Sequence, residues 1–166
     1  MDLGLLVVRV VVGLVMAAHG AQKLFGWFGG HGLAGVGGFF EQLGFRPGRL
    51  FALAAGVSEF GGGLLLALGF LGPVAPAVLV SVMIVAAATV HWRNGLFAMA
   101  NGIEVPLLYG TIAAGLALTG FGEYSLDRLL GLAPGFTPAV SAGVLGLGVV
   151  GGFANLALRR PTSATA

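Results

Sequence analysis

The chain has 166 residues, of which 57% are hydrophobic and only 8% are charged. Soluble domains carry about 25% charged residues, so this composition excludes an ordinary soluble domain and predicts a single all-α, membrane-embedded helical bundle. Eight Lys and Arg against six Asp and Glu exclude a nucleic-acid-binding surface, and the absence of cysteine excludes disulfides and thiol chemistry.

Five apolar segments follow one another along the chain, at residues 3–24, 50–71, 74–90, 105–119 and 139–158. A helix needs about 20 apolar residues to cross a bilayer, so the first, second and fifth segments have full spanning length. The third is close to the lower limit and the fourth is short. Two prolines, Pro73 and Pro76, predict that the second and third helices form a tight hairpin.

The connection between the first two apolar segments, residues 26–49, is rich in Gly, Phe and Trp. Residues 38–45 within it combine aromatic side chains with Glu41 and Gln42. This pattern fits a short amphipathic helix in the membrane interface, and it fits an ordered loop over the bundle equally well.

Basic residues predict the orientation of the chain. With five crossings, six of them fall on one side of the membrane: Lys23, Arg46, Arg49, Arg93, Arg159 and Arg160. Because Lys and Arg accumulate in cytoplasmic loops, this side is predicted to be cytoplasmic, with the N-terminus outside and the C-terminus inside. Residues 161–166, beyond the last basic pair, are predicted to be disordered.

Glu59 is the central candidate site residue, because it is the only charged residue in the segment 50–71. At about 1.5 Å per residue it lies roughly 13 Å into the membrane, where an ionised carboxylate must be paired, hydrated or protonated. Arg9, on the first helix, is close enough in depth to predict an Arg9–Glu59 ion pair. The sequence leaves open whether Glu59 serves function or only structure.

Further polar residues cluster at the predicted cytoplasmic ends of the helices. His19 and Lys23 are four residues apart and share one helix face. His91 ends the third apolar segment and Glu104 opens the fourth. Singly, Lys23 and Glu104 also fit interfacial anchors. Taken together, the candidate cofactor-binding residues are Arg9, His19, Lys23, Glu59, His91 and Glu104. No residue is assigned a catalytic role, and the spacing of His and carboxylate residues indicates no metal site.

Several of these positions lie in short motifs that resemble the DoxX family of small bacterial membrane proteins. The resembling pieces are residues 9–13 (RVVVG), 19–24 (HGAQKL), 59–63 (EFGGG), 101–104 (NGIE) and 120–127 (GFGEYSLD). The resemblance implies a bacterial plasma-membrane protein with a four-helix bundle. Residues 1–130 are therefore predicted to form a DoxX-like core, 131–160 an additional membrane helix and 161–166 a tail.

The resemblance also implies a function, since relatives in this group are associated with redox complexes and quinone reduction. The leading hypothesis is an integral membrane subunit of a redox-linked complex that binds a quinone within the helix bundle and docks a soluble redox enzyme. A small-solute or proton transporter is the first alternative, because midplane carboxylates also mark transport pathways. A scaffold that docks an enzyme through residues 26–49 is the second. Self-association into a homo-oligomer is left open.

Overall fold

The protein is an all-α bundle in the computed structural model, which describes residues 1–160. The predicted disordered tail, residues 161–166, lies outside the described residues. The helices, in chain order, are α1 (Asp2–Phe25), α2 (Gly32–Gln42), α3 (Gly48–Leu68), α4 (Val74–Ala86), α5 (Glu104–Thr119), α6 (Leu126–Leu129) and α7 (Pro138–Ala157). A π-helical turn, Ala87–His91, and a 3₁₀ turn, Trp92–Asn94, extend α4 without a break.

Five of these helices run between two ends of the bundle, which we name after α1: the Asp2 end and the Lys23 end. The end of α5 returns to the Asp2 end, where the Glu123 amide donates to Asp2 Oδ1 at 3.1 Å. The end of α7 returns to the Lys23 end, where the Arg160 amide donates to the Gly44 carbonyl at 2.8 Å. The five apolar segments of the sequence are therefore the five long helices.

Four of the five long helices are long and apolar enough to cross a membrane: α1, α3, extended α4 and α7. The fourth predicted segment, α5, has 16 residues and thus a length of about 24 Å. Helix α5 does not begin earlier in the chain, because Asn101 adopts a left-handed backbone conformation with φ of 60°.

The connection between α1 and α3 contains a helix, Gly32–Gln42, which begins before the predicted segment 38–45 and ends within it. This helix, α2, packs against the start of α3. Gly37 is buried there, with its Cα facing the backbone of Arg49, and the Glu41 carboxylate accepts a hydrogen bond from the Gly48 amide at 3.2 Å. The ordered-loop alternative is therefore excluded for residues 32–42, and α2 packs along the side of α3.

The most extensive helix contact in the bundle joins α1 to α3, and glycines lie at its centre. A methyl group added at Gly63 would lie 2.5 Å from both the Ala17 nitrogen and the Gly13 oxygen, a distance that atoms cannot adopt. A methyl group at Gly20 would meet the backbone of Phe60 in the same way. Small residues let membrane helices approach this closely, and the contact fixes which residues of α1 face which residues of α3.

The apolar core fills the middle of the bundle and the part nearer the Asp2 end. Its most buried large members, Met16, Leu66 and Leu79, are each no more than 1% exposed. They come from α1, α3 and α4, and α5 adds Ala113 and Leu116. Toward the Lys23 end the packing is looser, and the candidate site lies there.

Candidate functional site

The Glu59 carboxylate is paired with the ammonium group of Lys23. Glu59 lies in the middle of α3 and is only 3% exposed, whereas Lys23 lies in the last turn of α1 and its side chain is 25% exposed. Lys23 donates a hydrogen bond to Glu59 Oε2, which leaves Oε1 for other partners. The buried acid is therefore held by a basic group of α1, and the partly exposed lysine links it to the Lys23 end.

The predicted Arg9–Glu59 ion pair is wrong. Arg9 is 2% exposed and lies near the Asp2 end, where its guanidinium donates to the carbonyls of Ala67 and Tyr124. The glycine contacts between α1 and α3 explain the difference, because they place Gly13 beside Gly63 and Gly20 beside Phe60. In this antiparallel register Arg9 faces the end of α3, and Glu59 faces the last turns of α1.

A cavity of about 560 Å³ opens beside the Lys23–Glu59 pair. Phenylalanine side chains from α2, α3 and the loop between them form one wall: Phe39, Phe40, Phe45 and Phe51. Aliphatic residues of α4, among them Val78, Val82 and Val85, form the opposite wall. Its volume falls within the range of about 300–1,000 Å³ that is usual for small-molecule sites.

Most polar side chains of the cavity come from four of the long helices, and His31, which precedes α2, adds another. Lys23 and Gln22 line it from α1, and Ser58 and Glu59 from α3. Extended α4 and α7 add four more: Ser81, Thr89, His91 and Asn155. A largely apolar cavity with a few polar groups and one charged pair is the arrangement usual for a small-molecule site.

Three of the six predicted cofactor-binding residues line this cavity, namely Lys23, Glu59 and His91. His19 lies one turn before Lys23, where Nδ1 is 3.2 Å from Gln22 Oε1 and the ring packs edge-on against Tyr109 at 6.2 Å. Glu104 instead accepts a hydrogen bond from the Ala98 amide at 2.7 Å and so orders the loop before α5. The predicted convergence of these residues in a single pocket is thus only partly realised.

Sequence reasoning missed Thr89 and Asn155, which both line the cavity. The missed signal is that Asn155 is the only amide side chain within the apolar helix α7, and Thr89 lies beside the end of an apolar run. Thr89 also belongs to the π-helical turn Ala87–His91, a distortion that often occurs at functional sites. Nothing in the hydropathy pattern predicts that turn.

Comparison with known proteins assigns the family. The DoxX family model matches residues 4–92 of the chain. The inner membrane protein YqjF of Escherichia coli (strain K12) is 32% identical over 137 residues, which cover 78% of this chain and 93% of that protein. The chain belongs to the DoxX family. No solved structure matches it.

The DoxX match covers α1 to extended α4 and therefore includes both partners of the Lys23–Glu59 pair. It also includes most of the cavity wall, but it ends before α5 and α7. The relative YqjF aligns over a longer part of the chain, so the similarity does not stop at residue 92. Asn155 of α7 lies beyond the residues that the family model matches.

Residues 120–127, the last of the DoxX-like motifs, lie at the Asp2 end of the bundle, opposite the cavity. Asp127 is 2% exposed and accepts hydrogen bonds from the amides of Leu71 and Gly72, at 2.9 and 2.7 Å. Its own amide donates to the Gly69 carbonyl at 3.0 Å. Asp127 therefore connects the segment after α5 to the turn between α3 and α4. The predicted tight hairpin of these two helices is confirmed. Arg9 binds the same region through the carbonyls of Ala67 and Tyr124.

Proposed function

We propose that this DoxX protein is an integral membrane subunit of a redox-linked complex and that its cavity binds the ring of a quinone. The observation that carries the proposal is the Lys23–Glu59 ion pair in the wall of an apolar, aromatic cavity. A quinone ring needs apolar surface for its faces and hydrogen-bonding groups for its two carbonyl oxygens. The phenylalanine wall and the ion pair supply these two requirements side by side.

Each partner of the ion pair has a separate task in this proposal. The ammonium group of Lys23 has hydrogens beyond the one given to Glu59, and it donates one to a carbonyl oxygen of the ring. The carboxylate of Glu59 exchanges the proton that the ring gains or loses with its electrons. A soluble redox enzyme, docked at the membrane surface, supplies or removes the electrons.

The proposed site is a dead-end cavity and not a pathway across the membrane. Beyond Glu59 toward the Asp2 end, the bundle is filled by Met16, Leu66 and Leu79. These side chains are each no more than 1% exposed, and none of them lines the cavity. This packing supports a binding site in preference to a transporter.

We further propose that the Lys23 end faces the cytoplasm, as the basic residues indicate. The relative YqjF is named as an inner membrane protein, and we assign the same membrane to this chain. Single cysteines test the orientation cleanly because the chain has none. Met99→Cys, at the Lys23 end, should resist a membrane-impermeant thiol reagent in intact cells, whereas Leu129→Cys, at the Asp2 end, should react. The reverse pattern would contradict the proposed orientation.

The quinone proposal is tested by extraction and by blocking the cavity. Protein purified in mild detergent should carry quinone that mass spectrometry detects in a fixed ratio to protein. Ala55 lines the cavity and Ala142 is exposed on α7, so Ala55→Trp and Ala142→Trp form a matched pair. We expect Ala55→Trp to remove the quinone and Ala142→Trp to retain it. Equal quinone content in the two variants would place the quinone elsewhere, in bulk lipid or detergent.

A further inference from the structure

Two distant segments of the chain bring four arginines together at the Lys23 end of the bundle. This arginine cluster comes from the beginning of α3 and from the residues just after α7, and consists of Arg46, Arg49, Arg159 and Arg160. Arg159 Nε donates to the Leu43 carbonyl, and the Arg160 amide donates to the Gly44 carbonyl at 2.8 Å. Because Arg46 follows Gly44 by two residues, their Cα atoms lie within about 8 Å of each other. Arginine side chains from both segments can therefore reach one bound group.

No carboxylate neutralises the arginine cluster within residues 1–160. Neither of the two ion pairs in that part of the chain involves any of the four arginines. Glu41, in the last turn of α2, instead accepts a hydrogen bond from the Gly48 amide at 3.2 Å. The side chains of Arg46, Arg49 and Arg160 are exposed, and only Arg159 is partly buried. The cluster therefore presents several positive charges to an anionic ligand.

The arginine cluster lies at the level where the lipid-facing surface of the bundle begins. Leu50 and Leu53 follow Arg49 in the first turns of α3, and both are exposed. Phe153 and Leu158, which precede Arg159, are exposed as well. Large apolar side chains at the surface of a membrane bundle face acyl chains, and the phosphate groups of the lipids lie just outside that region. A ligand at this cluster thus meets positive charge and apolar surface next to each other.

We propose that the arginine cluster binds the headgroup of an anionic phospholipid, in the leaflet at the Lys23 end. The guanidinium group pairs with phosphate through two parallel hydrogen bonds, which makes arginine well suited to this ligand. The acyl chains of the same lipid can lie along the exposed apolar residues of α3 and α7. That second contact favours a lipid over a soluble acidic protein, which would use only the charges. The proposal does not depend on a quinone in the cavity.

A headgroup held by the arginine cluster would join α7 to the turn between α2 and α3. Both segments also contribute to the cavity wall, through Leu43, Phe45 and Asn155. A ligand that binds only the folded protein raises its stability by mass action. Bound anionic lipid should therefore raise the melting temperature of the bundle, in addition to being retained by it.

The test compares two lipids and two matched double variants in detergent by native mass spectrometry. The lipids are phosphatidylglycerol, which is anionic, and phosphatidylcholine with the same acyl chains, which carries no net charge. Arg46→Gln with Arg160→Gln removes two charges from the cluster, and neither side chain has a hydrogen bond within residues 1–160. Arg93→Gln with Arg128→Gln removes two charges elsewhere and is the control.

We expect the unaltered protein to bind phosphatidylglycerol more tightly than phosphatidylcholine and to melt at a higher temperature in its presence. The cluster variant should lose roughly tenfold to thirtyfold in affinity for phosphatidylglycerol, because each arginine near an anionic lipid contributes about fivefold. Its affinity for phosphatidylcholine should stay the same. The control variant should bind both lipids like the unaltered protein. Arg46→Gln alone should lose about fivefold, which provides the same comparison if the double variant melts early.

Four results would overturn the proposal. Equal affinity of the unaltered protein for the two lipids would show that the anionic headgroup is not recognised. An equal loss in the cluster and control variants would assign the effect to overall charge. Displacement of the lipid by excess inorganic phosphate would indicate a site for free phosphate. Unchanged lipid binding by the cluster variant, together with loss of binding to poly-L-glutamate, would assign the surface to an acidic protein.

Discussion

Lys23, in the last turn of α1, is bonded through its ammonium group to the carboxylate of Glu59 in the middle of α3. Glu59 is almost fully buried, and Lys23 is its only ion-pair partner among residues 1–160. The pair therefore joins the two helices that share the most extensive contact, and it forms part of the cavity wall. The contribution of the pair to the free energy of unfolding and to ligand binding can each be measured.

Breaking the pair from the lysine side should destabilise the bundle. In Lys23→Met the carboxylate of Glu59 is left buried without a partner, a situation that typically costs about 3–5 kcal/mol. Replacing both partners, as in Lys23→Met with Glu59→Leu, should restore most of the free energy of unfolding. The measurement is reversible unfolding in mixed micelles. The control is Arg128→Met, which breaks the exposed Arg128–Glu123 pair and should change stability by less than about 1 kcal/mol.

Arg9 and Glu59 should behave as independent sites. Arg9 donates to two backbone carbonyls at the Asp2 end and has no contact with Glu59. Changes at residues that share no partner usually add to within about 0.5 kcal/mol. The unfolding free energies of Arg9→Gln and Glu59→Gln should therefore sum to that of the double variant. A coupling free energy of more than about 1 kcal/mol between the two substitutions would show that Arg9 and Glu59 interact directly.

Two neighbouring glycines of α3 should respond in opposite ways to the same substitution. Gly63→Ala forces a methyl group into the backbone of Ala17 on α1, and overpacking of this kind costs about 1–3 kcal/mol. Gly61 has no atom within 4 Å of the corresponding position, so Gly61→Ala should be neutral or stabilise α3 by up to about 1 kcal/mol. Thermal melting monitored by circular dichroism compares them. Similar melting temperatures would show that α1 and α3 are less closely packed than described.

The Asp127 contact should matter for stability and not for ligand binding. Asp127→Ala leaves the buried amide of Gly72 and that of Leu71 without acceptors, and each such loss typically costs about 1–3 kcal/mol. Asp127→Asn retains one acceptor oxygen and should lose less. Glu123→Gln, an exposed carboxylate nearby, should have little effect. A loss of ligand affinity in Asp127→Asn without a loss of stability would contradict this purely structural role.

Hydropathy alone predicted the long helices, because a membrane helix is defined by a run of apolar residues. It also singled out Glu59, since a lone carboxylate in such a run is conspicuous. The partner of Glu59 was predicted wrongly because helix register depends on backbone contacts. Arg9 and Lys23 share a stripe of α1, and only the contacts of Gly13 and Gly20 with α3 decide which of them faces the acid.

The remaining cavity residues could not be predicted for a different reason. Thr89 lines the cavity from a π-helical turn, a feature that hydropathy does not encode. Asn155 reaches the site because α7 packs on α4, where Gly152 lies against Ile84. The position of Asn155 thus depends on the packing of distant segments, and that of Thr89 on a local distortion at the end of α4.

The account depends most directly on binding of a quinone-class ring beside Glu59, which a titration of purified protein with a short-chain hydroquinone measures, because its hydroxyl groups can donate to the carboxylate. Two variants make the same chemical change at opposite ends of the bundle: Glu59→Gln in the cavity and Glu123→Gln on the exposed Asp2 end. We predict that Glu59→Gln weakens binding by about tenfold or more, as expected when a charged hydrogen-bonding group is lost, and that Glu123→Gln binds like the unaltered protein. Equal affinity of all three proteins would contradict the assignment of the Lys23–Glu59 cavity as the quinone site.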